Sequence, residues 1–177
     1  MILDAARTEF SARGFEGTTM RAIARAAGVD AALIHHFFLS KGGLFSAAVQ
    51  DVFDVPGLPG AADGPREGLG ERLAQACLTH WQKPAVHVQL VALLRSATAF
   101  DGGSGAIQEF FGKTLLPVAS AAGQGQADLR ASLCGSYLLG VAAMRHVSPA
   151  EPIASLSRPQ LVRTVGRTCQ SYLCERL

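Results

Sequence analysis

Five histidines and four cysteines are the residues of this 177-residue chain best suited to hold a metal or attack a substrate. Their spacing argues against both. His35 and His36 are adjacent, while His80, His87 and His146 stand far apart, so no pair three or four residues apart, with an acidic neighbour, gathers two imidazoles on one helix face. Cys77, Cys134, Cys169 and Cys174 lack the C-x-x-C spacing of a zinc or redox site. Each lies in a helical apolar pattern, which reads as a small buried hydrophobe in a reducing, cytoplasmic setting. A nucleophile elbow, G-x-S-x-G, is missing, and the GGSG at 102–105 follows a helical pattern rather than a strand and lacks the lysine of a phosphate loop. We expect no catalytic residue, no metal, no cofactor and no enzyme.

A different chemistry is written between Thr18 and Phe38, TTMRAIARAAGVDAALIHHFF. Thr18 or Thr19 can cap a short helix running to Ala27, Gly28 breaks it, and Asp30 caps the next. Small Ala24 allows a close crossing, and Ile23, Ala27, Val29, Ile34 and Phe37 are placed to fill the space between these helices and the one before. This is the spacing of a helix-turn-helix, whose second helix enters a major groove, here offering Ala31, Ala32, Leu33, His35 and His36. Spacing alone is permissive, since any helical hairpin with a glycine turn and an aromatic core fits it.

The surrounding elements are all helical. Ile2 to Ala12 form a first helix ended by Gly14, and Ser40 starts a fourth carrying Leu44, Phe45, Ala48, Val49, Val52 and Phe53 inward. Val55 to Pro65, VPGLPGAADGP, has linker composition. Helical patterns follow over 69–81, 86–100, 105–121, 127–147 and 158–175, with no alternating strand pattern. The expected fold is all-α: a head and connecting helix over 1–54, a linker over 55–65 and a larger helical domain over 66–177. A hydrophobic share of 49% with 17% charge is too apolar for disorder and favours association. No apolar run reaches the roughly 18 residues of a membrane span. Net charge is only +2, and up to residue 54 five cations face six anions. That balance keeps open a ligand-binding or scaffolding dimer that does not bind DNA.

The first 50 residues resemble the TetR family of regulators, through Phe10, Gly14, Phe15, Thr18, Thr19, Ile23, Ala24, Ala27, Gly28, Val29, Phe37, Phe38, Lys41 and Leu44 in register. The resemblance implies a transcriptional regulator, usually a repressor, that leaves double-stranded operator DNA when a small lipophilic effector binds. It places Thr18 or Thr19, His35 and Lys41 near phosphates, and Arg21, Leu33 and His36 near bases. Hydroxyl, imidazole and ammonium groups can all donate to phosphate oxygens, and Leu33 can meet only a thymine methyl. This chain departs from the family pattern at Asp30, Ala32 and His35, where a small hydroxyl residue, glycine and tyrosine are usual.

In the second domain Trp81, Phe100, Phe110, Phe111, Leu115, Tyr137 and Met144 form the large aromatic and sulfur-bearing group, which is either ordinary core or the lining of the family's effector cavity. Arg95, set in LVALLRSATAF, needs a partner. A pocket ligand and Glu109 are equal candidates. The resemblance also implies a homodimer through the last two helices. Over 127–147, Ala131, Gly135, Leu138 and Ala142 line one side, and Ser132, Ser136, Gly140 and Ala143 the next. Leu161, Val165, Cys169, Tyr172 and Leu173 are expected to add to that interface from the last helix.

Overall fold

The structure is a computed structural model that describes residues 1–96, 107–108 and 111–177. Among them there is helix and turn and no strand. The chain divides into two compact units, Met1–Phe53 with Lys83–Ile107, and Asp54–Gln82 with Gln108–Leu177.

In the first unit, α1 (Ile2–Arg13), α2 (Met20–Ala27), α3 (Ala31–Phe38) and α4 (Lys41–Val49) follow in quick succession, and α4 runs into a 3₁₀ turn over Gln50–Val52. Each boundary has its chemical cause. Thr19 Oγ1 accepts from the Ala22 amide (3.1 Å), Asp30 Oδ1 from Ala32 (2.7 Å) and Ser40 Oγ from Gly43 (3.0 Å), satisfying amides that the first helical turn leaves without acceptors. Gly28 closes α2 in the left-handed conformation (φ 66°), which lets the Val29 amide reach back to the Ala24 carbonyl (3.0 Å). The core of this unit is Phe10, Phe15 and Phe45 around Ile23, Ile34 and Leu44. Phe45 meets the other two phenyl rings edge-on, at 5.0 and 5.6 Å between centroids.

A further helix, α7 (Pro84–Ser96), packs on α1 and α4 in this unit, with Pro84 opening the helix rather than only ending the previous one. Its buried Gln89 donates from Nε2 to Asp51 Oδ2 (2.8 Å) and accepts from the Asp51 amide (3.2 Å). Arg7 donates to the same carboxylate (2.9 Å) and to the Ala48 carbonyl (3.0 Å). Together they tie the first helix, the end of α4 and α7.

The second unit opens with a short helix, α5 (Leu58–Ala61), inside the stretch read as linker. It continues with α6 (Leu69–Trp81), and after a π-type turn over Phe111–Leu115 come α8 (Leu116–Ala121), α9 (Ala127–His146) and α10 (Arg158–Cys174). Helices α6 and α10 touch backbone to backbone. A Cβ on Gly70 would lie 2.3 Å from the Gly166 carbonyl oxygen, and one on Gly166 2.7 Å from the Glu71 Cα. The Gly70 amide also donates to Gln170 Oε1 (2.8 Å).

This contact corrects one expectation. Leu161, Val165, Cys169 and Leu173 are buried within the chain, in the face that α10 turns to its own unit, so they are not open to a second copy. On α9 the two sides separate as their spacing suggested: Ala131, Gly135, Leu138 and Ala142 are buried, while Ser136 and Gly140 are exposed and Ser132 and Ala143 half-buried.

Candidate nucleic-acid interface

Helix α3 has eight residues, and its sequence divides them by face. Ile34 is buried and Phe38 and Ala31 half-buried, which leaves Ala32, Leu33, His35, His36 and Phe37 on the open arc. Phe37, expected in the core, is 64% exposed. At 3.6 residues per turn Phe37 stands one turn beyond Leu33, itself 42% exposed, and Ile34 and Phe38 already occupy the inward stripe. The His36 and Phe37 rings meet edge-on at 5.4 Å. Leu39 closes the helix at φ 62° and is also exposed.

Beside this arc stands the start of α2. Thr19 is exposed at its cap, the Met20 and Arg21 amides have no intrahelical acceptor, and Arg21 is exposed. Among the described residues neither Arg21 nor Arg25 has an ion-pair partner. The start of α4, capped by Ser40, offers a second set of first-turn amides. Helix starts of this kind carry partial positive charge and suit phosphate oxygens.

Two residues expected at phosphates point inward instead. Thr18 is 0% exposed, and its hydroxyl donates to the Gly14 (2.8 Å) and Glu9 (3.1 Å) carbonyls at the end of α1. Its neighbour Thr19 takes the cap, which settles the choice between them. The Lys41 ammonium donates to the Phe15 (2.8 Å) and Thr18 (3.0 Å) carbonyls and lies 4.2 Å from the Phe15 ring centroid. It fastens α4 to the turn between α1 and α2.

Of the partners expected for Arg95, Glu109 lies outside the described residues, and among those described its partner is a backbone carbonyl. Arg95 is exposed on α7 in the first unit, and Nη1 donates to the Ala12 carbonyl (3.1 Å). That carbonyl is one of those that the last turn of α1 leaves without an amide, where a cation is favoured. Of the expected aromatic group, Phe100 and Phe110 lie outside the described residues. The structure brings Phe111 and Leu115 together over Gly135, where a Cβ would fall 2.1 Å from Phe111 Cε1 and 2.9 Å from Leu115 Cδ1. Trp81 is buried on α6. Tyr137 is half-buried and meets Tyr172 edge-on at 6.4 Å, and Met144 is exposed further along α9. An open cleft of about 300 Å³ lies elsewhere in this unit, lined by Gly68, Glu71, Gly166, Arg167, Gln170 and Glu175.

Buried thiols complete the second unit. Cys134 Sγ donates to the Cys169 carbonyl (3.8 Å). Burial pushes the Cys77 thiol up to about 12, and the bond to Cys169, together with burial, pushes Cys134 up as well.

Residues 2–48 match the family model for bacterial regulatory proteins of the tetR family. Residues 67–173 match that of the tetracyclin repressor-like C-terminal domain. The chain belongs to the TetR family. It is a transcriptional regulator with a DNA-binding helix-turn-helix, formed by α2 and α3. A TetR-family regulator of Streptomyces coelicolor A3 is 33% identical, with 97% of this chain and 92% of that one covered and a TM-score of 0.66. Two others share the fold at lower identity: a protein of Shewanella sp. PV-4 described as a tetR-family regulator (20% identity, 99% and 97% covered, TM-score 0.74) and a TetR-like regulator of Rhodococcus sp. RHA1 (21%, 96% and 92%, 0.67). No curated protein matches. The TetR relatives are regulators rather than enzymes, and no helix among the described residues is long and apolar enough to cross a membrane.

Proposed function

We propose that this regulator is a homodimeric repressor that occupies a two-fold operator and leaves it when a small lipophilic molecule binds the second unit. The observation that carries the DNA half of this reading is the open arc of α3 flanked by the capped starts of α2 and α4. In that arrangement Thr19 and the first-turn amides meet phosphates, while Arg21, Leu33 and His36 meet bases. Thr18 and the Lys41 side chain drop out of the contact set because both are spent on carbonyls of their own unit.

Dimerisation through α9 is supported by its uncharged open face, on which Leu129, Ser136, Gly140 and Met144 are exposed and Leu133 and Tyr137 half-buried. Such a face can pack against its symmetry mate as an isologous interface. The candidates for the effector half are the buried Trp81 of α6 and, over Gly135, Phe111 with Leu115, to which Phe110 is added by sequence alone. Arg95 is left out of it. Effector binding then favours a dimer state whose two recognition helices no longer match successive major grooves. No catalytic step is needed.

The test is to titrate the full chain into duplexes from upstream of its own gene at 50 and 200 mM salt, with and without a panel of lipophilic compounds. Sequence-dependent binding that weakens steeply with salt and is released by a compound that also changes Trp81 fluorescence supports the reading. Equal binding to all duplexes, or none, refutes it.

A further inference from the structure

The open arc of α3 is chemically unusual for a surface meant to read bases. It carries no arginine, lysine, asparagine or glutamine, the side chains that pair bidentately with guanine or adenine in the major groove. Its only hydrogen-bonding groups are the imidazoles of His35 and His36. The remainder is apolar: Ala32, Leu33 and Phe37, with Leu33 and Phe37 one helical turn apart on the same flank and both open to water. Nothing in the first unit requires them there, since Ile34 fills the inward stripe and is fully buried.

The major groove presents one apolar group, the 5-methyl of thymine, and alanine and phenylalanine side chains are among its usual contacts. We infer that this helix reads its half-site chiefly through thymine methyl groups, with Leu33 and Phe37 as the reading pair and His36 supplying the polar contact between them and Ala32. The inference rests on the DNA reading above and adds the chemistry of the sequence bound: half-sites rich in A·T pairs whose thymines face α3, with guanine contacts confined to Arg21 at the edge and to the histidines.

The experiment begins by letting the full chain select from a random-sequence duplex pool. The strongest selected duplex is then resynthesised with deoxyuridine in place of each half-site thymine in turn, which removes one methyl group and leaves every hydrogen-bonding edge unchanged. Affinity is expected to fall about fourfold for each contacted methyl, the effect of exposing one buried apolar carbon. The same penalty is expected to shrink toward onefold in Leu33→Ala or Phe37→Ala. Both residues are exposed, so the variants keep the core, and an unchanged thermal melt checks that they do.

A selected duplex that tolerates uracil at every position, or a penalty that persists undiminished in both variants, overturns the inference and leaves the DNA reading standing. A chain that selects no duplex above background overturns both, and the apolar flank of α3 then belongs to a protein partner.

Discussion

Lys41 shows how little a residue's type says about the partners the fold gives it. Its place in the family pattern is plain in the sequence, and an ammonium beside a DNA-binding helix suggests phosphate. Its side chain bonds two carbonyls of the turn between α1 and α2, a partner set fixed by the backbone path rather than by any residue type. Thr18 is the same case: the threonine pair was visible, but only the fold decides which one caps α2. Lys41→Ala is therefore expected to lower stability by on the order of 1 kcal/mol, since two charge-assisted bonds are lost from carbonyls that can partly turn to water. The salt dependence of DNA binding should stay as it was. A slope reduced by about one per site, with the melting temperature unchanged, would return Lys41 to the phosphates.

The buried thiols give a second residue-level prediction. Burial raises Cys77 from its ordinary 9.0 to about 12. Above pH 9 the unfolded chain releases this proton and the folded one holds it, so the contribution of Cys77 to stability is complete below pH 9 and is lost as the pH climbs toward 12. Urea midpoints measured from pH 8 to 11 should fall less steeply in Cys77→Ala than in the unmodified chain. Parallel curves would contradict the assignment.

At the scale of elements the sequence was most informative where punctuation is chemical. Gly14, Thr19, Gly28, Asp30 and Ser40 bound the helices of the head as their side chains and backbone freedom require. It was least informative about partners. The apolar stripe of α10 was legible, but whether it faced the same chain or a second copy was not, because both interfaces use the same residue types. Gly70 and Gly166 hold the answer, and each looks in sequence like a tolerated glycine within a helix. Because the atoms that a Gly70 side chain would meet are backbone atoms of α10, Gly70→Ala should destabilise the second unit by roughly 1–3 kcal/mol, read as a lowered urea midpoint. An unaltered midpoint would show that α6 and α10 can separate without loss. Helix α7 is a further example: nothing in PAVHVQLVALLRS announced that Gln89 would reach Asp51 and Arg95 the Ala12 carbonyl.

In the proposed regulator, a head that presents α3 is joined to a second unit that carries the proposed dimer face and effector group. Two-fold protein symmetry requires two half-sites, with centres about one helical turn apart or slightly more. Gly140 is the point at which this can be broken cleanly. A side chain there meets nothing within 4 Å in its own chain, so Gly140→Asp leaves the monomer fold intact while placing a charge in the uncharged face of α9. Val165, by contrast, is core, and a charge there would report on folding alone. The decisive measurement is a footprint of the full chain on DNA upstream of its gene, with the mass in solution of the unmodified chain and of Gly140→Asp determined alongside. The unmodified chain is expected to be a dimer that protects two symmetry-related segments, and Gly140→Asp a folded monomer that protects neither at the same concentration. A monomer that footprints a single segment, or a dimer that protects no defined sequence, would contradict the proposed function.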